Sequence, residues 1–128
     1  MPRTLELRDD GLAVSFRGLV RLGTLRRRLV VPWSAVREVA ADPYVELEPS
    51  PLEPVAPRLS RAAHGRFRRA GRWLFLSFEN PCRVVRLRLD RRAGGFDEVV
   101  LGHHDPAALA AAIAARAGLS LTPAARAA

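Results

Sequence analysis

Two neighbouring stretches decide the fold: residues 64–78, His64-Gly65-Arg66-Phe67-Arg68-Arg69-Ala70-Gly71-Arg72-Trp73-Leu74-Phe75-Leu76-Ser77-Phe78, and residues 83–90, Arg83-Val84-Val85-Arg86-Leu87-Arg88-Leu89-Asp90. In the second, Val85, Leu87 and Leu89 alternate with Val84, Arg86, Arg88 and Asp90. A period of two marks a strand with one face buried. In the first, two strand-like halves flank Ala70-Gly71, so residues 64–69 and 72–78 read as a hairpin. Glu79-Asn80-Pro81 is the turn that follows.

The same pattern extends toward both ends. Leu5 and Leu7 alternate with Thr4, Glu6 and Arg8, Asp9-Asp10-Gly11 turns the chain, and Leu12, Val14 and Phe16 alternate with Ala13, Ser15 and Arg17. That is a second hairpin. Residues 18–28 are ambiguous: Leu19, Leu22 and Leu25 suit a helical turn, whereas Leu25, Arg27, Leu29 and Val31 suit a strand but put Arg27 on its apolar face. The favoured reading is a helical turn leading into a strand from about Arg27 to Pro32. Trp33-Ser34-Ala35 turns the chain, with Trp33 as a core or rim anchor, and Val36 to Ala41 resumes as a strand. Ala93-Gly94-Gly95 turns into a last strand, Phe96 to Leu101. The closing element is a helix. Asp105 suits its N-cap, Pro106 suits its first position, and Leu109 and Ile113 share one face. Gly118 suits the residue just past its end, with Leu119 making the accompanying apolar contact.

These elements predict a mainly β fold: a small antiparallel barrel or sandwich of about seven strands with one C-terminal α-helix. Residues 1–117 form one domain and residues 118–128 a tail. Residues 42–63 form a long loop, because Pro43, Pro49, Pro51, Pro54 and Pro57 exclude a helix interior or a central strand. Its first half is acidic, with Asp42, Glu46, Glu48 and Glu53.

A chain of 128 residues is long enough for one core without cross-links. Cys82 is the single cysteine, so no internal disulfide forms, and a reducing cytoplasm is the expected setting. No apolar leader core follows Met1-Pro2-Arg3-Thr4, and no run approaches a membrane span. The net charge is +8 and all 21 basic residues are arginine. Such a surface attracts polyanions even without a designed site.

The stretch Val30-Val31-Pro32-Trp33-Ser34-Ala35-Val36, followed by Val39, resembles the strand–Pro–turn–strand junction of bacterial pleckstrin-homology-like domains. The Asp105-Pro106 helix after a β-rich body is similar too. Gly65-Arg66-Phe67-Arg68-Arg69-Ala70-Gly71 resembles small bacterial proteins of this type. The likeness covers residues 4 to 117 and implies a scaffold for binding or self-association. In eukaryotic relatives, basic residues near the first strand loop hold phosphoinositides. Here that loop is the acidic Asp9-Asp10-Gly11.

Candidate chemistry is sparse. His103-His104-Asp105 is the one histidine cluster, but neighbours on a strand point to opposite faces, so it reads as a strand end entering a helix cap. No metal or cofactor is expected. Cys82 lacks a nucleophile signature and reads as a small buried hydrophobe. Ser15, Ser34, Ser60, Ser77 and Ser120 lie in no nucleophile-elbow pattern, and Gly94-Gly95 lacks the lysine and helix of a phosphate loop. No catalytic residue is assigned, and the chain reads as non-enzymatic.

The arginines form the remaining candidate. Residues 58–92 hold many arginines against only Glu79 and Asp90. If the hairpin and the strand 83–90 are neighbours, Arg66, Arg68, Arg69, Arg72, Arg86 and Arg88 make a polyanion-binding set on a basic face. Phe67 and Trp73 near the hairpin tip would then serve for base stacking or membrane-interface contact. The plainer reading is a solvated face with both aromatics in the core. The acidic stretch from Asp42 to Glu53 could also fold over the arginines and neutralise them. The expectation is a binding or assembly module, acting on an unknown protein partner or on itself as a homo-oligomer. The alternative is binding of an anionic membrane surface or nucleic acid.

Overall fold

The computed structural model describes residues 3–17, 28–41, 53–54, 63–79, 83–90 and 95–120, with only the backbone described at 53, 54, 63 and 69. Strands β1 (Arg3–Leu7), β2 (Gly11–Phe16) and β3 (Arg28–Pro32) form a three-stranded antiparallel sheet in that order. A 3-10 turn, Trp33–Ala35, leads into β4 (Val36–Ala41). The second sheet adds β5 (Glu53–Pro54), β6 (Ala63–Arg69), β7 (Arg72–Phe78), β8 (Val84–Leu89) and β9 (Glu98–Gly102), in the order β4-β8-β9-β7-β6-β5. Helix α1 (Pro106–Ala117) closes the described chain.

The alternating runs became the predicted strands, including the hairpin about Ala70-Gly71. Of the two forms expected, the sheets take the sandwich and do not close into a barrel. One pair differs from expectation, being parallel rather than antiparallel: β9 inserts between β7 and β8 and runs parallel to β7. Parallel pairing suits strands buried on both faces, which read as continuous apolar runs. Leu74-Phe75-Leu76-Ser77-Phe78 and Val99-Val100-Leu101 are such runs, and all eight residues are buried. β5 adds a two-residue strand inside the stretch predicted as loop. The remainder of that loop up to residue 62, and the helical turn predicted before β3, lie outside the described residues.

The main core fills the space between the three-stranded sheet, one face of the larger sheet, and α1. Leu12, Val14, Leu29 and Val31 meet Phe75, Val85, Leu87, Val99 and Leu101, with Leu109 and Ile113 from the helix. Phe75 centres an aromatic chain, 5.5 Å from Phe16 and 5.4 Å from Phe96 between ring centres. A second cluster, Phe67, Leu74, Leu76, Phe78, Val84 and Val100, lies on the other face of the larger sheet. Val84, placed on the solvent side by its alternation, is buried there among apolar neighbours from β7 and β9.

The ends of α1 follow its sequence signals. Asp105 Oδ1 accepts from the Ala108 N–H at 3.2 Å, and Pro106 opens the first turn. Gly118 takes a left-handed φ of 71°, which glycine adopts without penalty. The Leu119 N–H then donates to the Ala114 carbonyl at 2.9 Å, and the Leu119 side chain packs on the main core. The helix is therefore fixed against β4 and β8 through Leu109, Ala110, Ile113 and Ala114.

Candidate functional site

The predicted arginine face divides in two. β9 and β7 separate β8 from β6, so the hairpin and the strand 84–89 are not neighbours in the way the grouping required. Following the register, Arg86 and Arg88 lie on the face of the second apolar cluster. Arg66 and Arg68 pair with Phe75 and Trp73, so they lie on the opposite face. Arg86 is held by Glu98 at 2.7 Å and Arg88 by Glu38 at 2.7 Å. Glu38 is the direct cross-strand partner of Arg88 and Glu98 the diagonal neighbour of Arg86, and each short-range pairing offsets the arginine's charge. Arg72 is exposed at the hairpin tip, opposite Arg69, whose side chain is outside the described residues.

Arg66 and Arg68 rest their guanidinium carbons 5.9 Å and 5.2 Å from the Trp73 ring centre. Both are exposed, and Glu53, of which only the backbone is described, is the register partner of Arg68 on β5. Trp73 is half-buried and packs on the main core, while Phe67 is fully buried and offers no stacking surface. The acidic turn is also paired: Arg8 meets Asp10 at 3.4 Å, and Arg116 of α1 meets Asp9 at 3.8 Å. The acidic stretch expected to cover the arginines lies outside the described residues, apart from the backbone at Glu53.

A buried polar ring was not anticipated. Arg3, His64 and Ser77 are the buried polar or charged side chains among the described residues. Register brings two of them together, because His64 and Ser77 are cross-strand partners in the β6–β7 hairpin. Glu79 follows two residues after Ser77. Arg3 arrives from the other sheet and donates to Ser77 Oγ at 3.1 Å and to both Glu79 oxygens at 2.7 Å. His64 Nδ1 lies 3.1 Å from Ser77 Oγ, and Nε2 lies 3.2 Å from Glu79 Oε2.

These contacts assign the protons. Arg3 donates to Ser77, the Ser77 hydroxyl donates to His64 Nδ1, and His64 Nε2–H donates to the Glu79 carboxylate. Among the described residues no buried side-chain polar atom lacks a partner. Burial holds the His64 pKa below its ordinary 6.5; the Glu79 charge opposes this and the Arg3 charge adds to it. The hydrogen bonds from Arg3 hold the Glu79 carboxyl below its ordinary value, against the opposing effect of its burial. His64 is neutral at pH 7 and Glu79 ionised.

Gly102 makes room for this ring. A side chain there would begin 3.0 Å from the Phe78 backbone and 3.1 Å from Arg3 Nη2. The order Ser77–His64–Glu79 is that of a serine nucleophile, base and orienting acid. Ser77 has no exposed surface, however, and its oxygen already accepts from Arg3. The arrangement therefore fastens β1 to the larger sheet. The alternation of Leu5 and Leu7, carried back one step, places Arg3 on the inward side. That was the available sequence signal.

His103 and His104 follow the end of β9, so strand alternation does not apply to them. Their rings stack at 4.3 Å, and His103 Nδ1 accepts from the Asp105 N–H at 3.0 Å. No three metal-binding side chains converge among the described residues. Cys82 and Ser60 lie outside them. No described helix is long and apolar enough to cross a membrane. Comparison with known proteins finds no family, curated protein or solved structure that matches the chain.

Proposed function

We propose that this domain is a non-enzymatic binding and assembly module that pairs with a second copy of itself through the open edge of β3. The observation that carries the reading is Val30, the one large apolar side chain exposed among the described residues, at 38%. It stands on a strand whose only partner among the described residues is β2. An unpaired strand edge is a template for another chain unless charge, proline or a bulge blunts it. The other edges are blunted. β4 carries a bulge between Val36 and Glu38 with Arg37 exposed, β5 ends in Pro54, and β1 exposes the charged Glu6. On β3, by contrast, the charge and the proline stand only at the two ends, Arg28 and Pro32, and leave Leu29-Val30-Val31 open.

A pleckstrin-homology-like scaffold belongs to this proposal. Two sheets packed face to face with a C-terminal helix support it, and the parallel β7–β9 pair is a departure from an all-antiparallel arrangement. A reducing cytoplasm would keep Cys82 as a thiol. Light scattering behind size-exclusion chromatography tests the reading. The wild type is expected to associate at micromolar concentration, and Val30→Lys to remain monomeric with unchanged stability. A wild type that stays monomeric throughout defeats it. A second reading, polyanion binding, rests on Arg66 and Arg68, the two exposed arginines held over the Trp73 ring.

A further inference from the structure

We propose that the Arg3–Ser77–His64–Glu79 ring is a proton-operated latch, which holds β1 to the larger sheet and lets go when His64 takes up a proton. It stands independently of the edge-pairing reading, since it concerns a different strand and a different measurement. β1 is an edge strand, paired only with β2 among the described residues. Leu5 and Leu7 pack on the main core, and the polar tie of β1 to the other sheet is the Arg3 guanidinium, which reaches Ser77 and Glu79 at the end of the strand.

The ring is complete for one protonation state only. Protonated His64 has donors at both nitrogens. The bond from the Ser77 hydroxyl to Nδ1 is then lost, and Ser77 Oγ must accept from both Arg3 and His64. Two buried cations then share the single Glu79 carboxylate, which is itself half-exposed. An uncompensated buried charge is costly, and the cheapest relief is for Arg3 to withdraw into solvent at the end of its strand. The groups facing His64 among the described residues are Arg3 from β1, Ser77 from β7 and Glu79 after it. His103 and His104 follow Gly102 and are engaged with each other and with the Asp105 N–H.

The sign is fixed by the depressed His64 pKa. A group whose folded pKa lies below its unfolded value contributes in full above the unfolded value, and the contribution is lost as pH falls through the folded one. Attachment of β1 is thus complete above about pH 6.5 and weakens below it. Glu79, also depressed, acts in the same direction below its ordinary 4.5.

Amide hydrogen exchange across pH 7 to 5, corrected for intrinsic rates, tests the latch. Protection of β1 amides is expected to fall about tenfold while β7, β8 and β9 hold theirs. In His64→Gln the β1 protection should be flat over that range. If that variant does not fold, the histidine-ring NMR titration of the wild type decides, because its midpoint for His64 must coincide with the loss of β1 protection. Constant β1 protection, an equal loss in all strands, a parallel loss in His64→Gln, or midpoints that do not coincide would overturn the latch.

Discussion

Arg3 sits where arginine rarely does, 8% exposed and ringed by acceptors. Burial of a guanidinium is tolerable only when its donors are used, and here Ser77 and Glu79 use them. Removing it leaves a carboxylate and a hydroxyl short of a donor beside His64. Arg3→Met, which keeps most of the apolar stem, is therefore expected to cost about 2–4 kcal/mol in urea unfolding at pH 7. Glu79 is partly solvated, so Glu79→Gln should cost less. A smaller loss for Arg3→Met than for Glu79→Gln would contradict the ring as the source of the stability.

Among the elements, the helix is the most self-consistent. Cap, first-turn proline, apolar stripe and left-handed glycine all agree along one stretch of chain. Its stability still comes from the face it buries, since a twelve-residue helix is marginal alone. Ile113 is fully buried in the main core. Ile113→Ala should cost about 2–4 kcal/mol in the same unfolding experiment, against a few tenths for exposed positions such as Ala111. The strands were legible for the same local reason: a period of two is written in consecutive residues. Alternation failed at Val84 and along β7 and β9, where both faces are buried and the apolar run is continuous.

Across the whole molecule, the charge distribution depends on strand order. With β9 between β7 and β8, the two arginine groups face opposite ways, and Arg86 and Arg88 are each tied to a glutamate. If polyanion binding occurs, its salt dependence should reside mainly in Arg66 and Arg68. Alanine at both should weaken heparin or single-stranded DNA binding and reduce the salt slope by about 1–2, whereas alanine at Arg86 and Arg88 should change the slope less. Equal effects of the two double variants would contradict the assignment of the salt dependence to Arg66 and Arg68.

Local order along the chain determined the hairpins, the capped helix and the mainly β class. Those depend on backbone periodicity and on residues within a few positions of one another. Tertiary structure alone decided that β9 enters the sheet between β7 and β8 and that Arg3 meets His64 and Ser77, more than sixty residues away. Periodicity says which face a side chain takes but carries no information about which strand lies alongside. The pairing of distant strands is settled by the joint burial of their apolar faces, and the arginine faces and the buried ring follow from that choice.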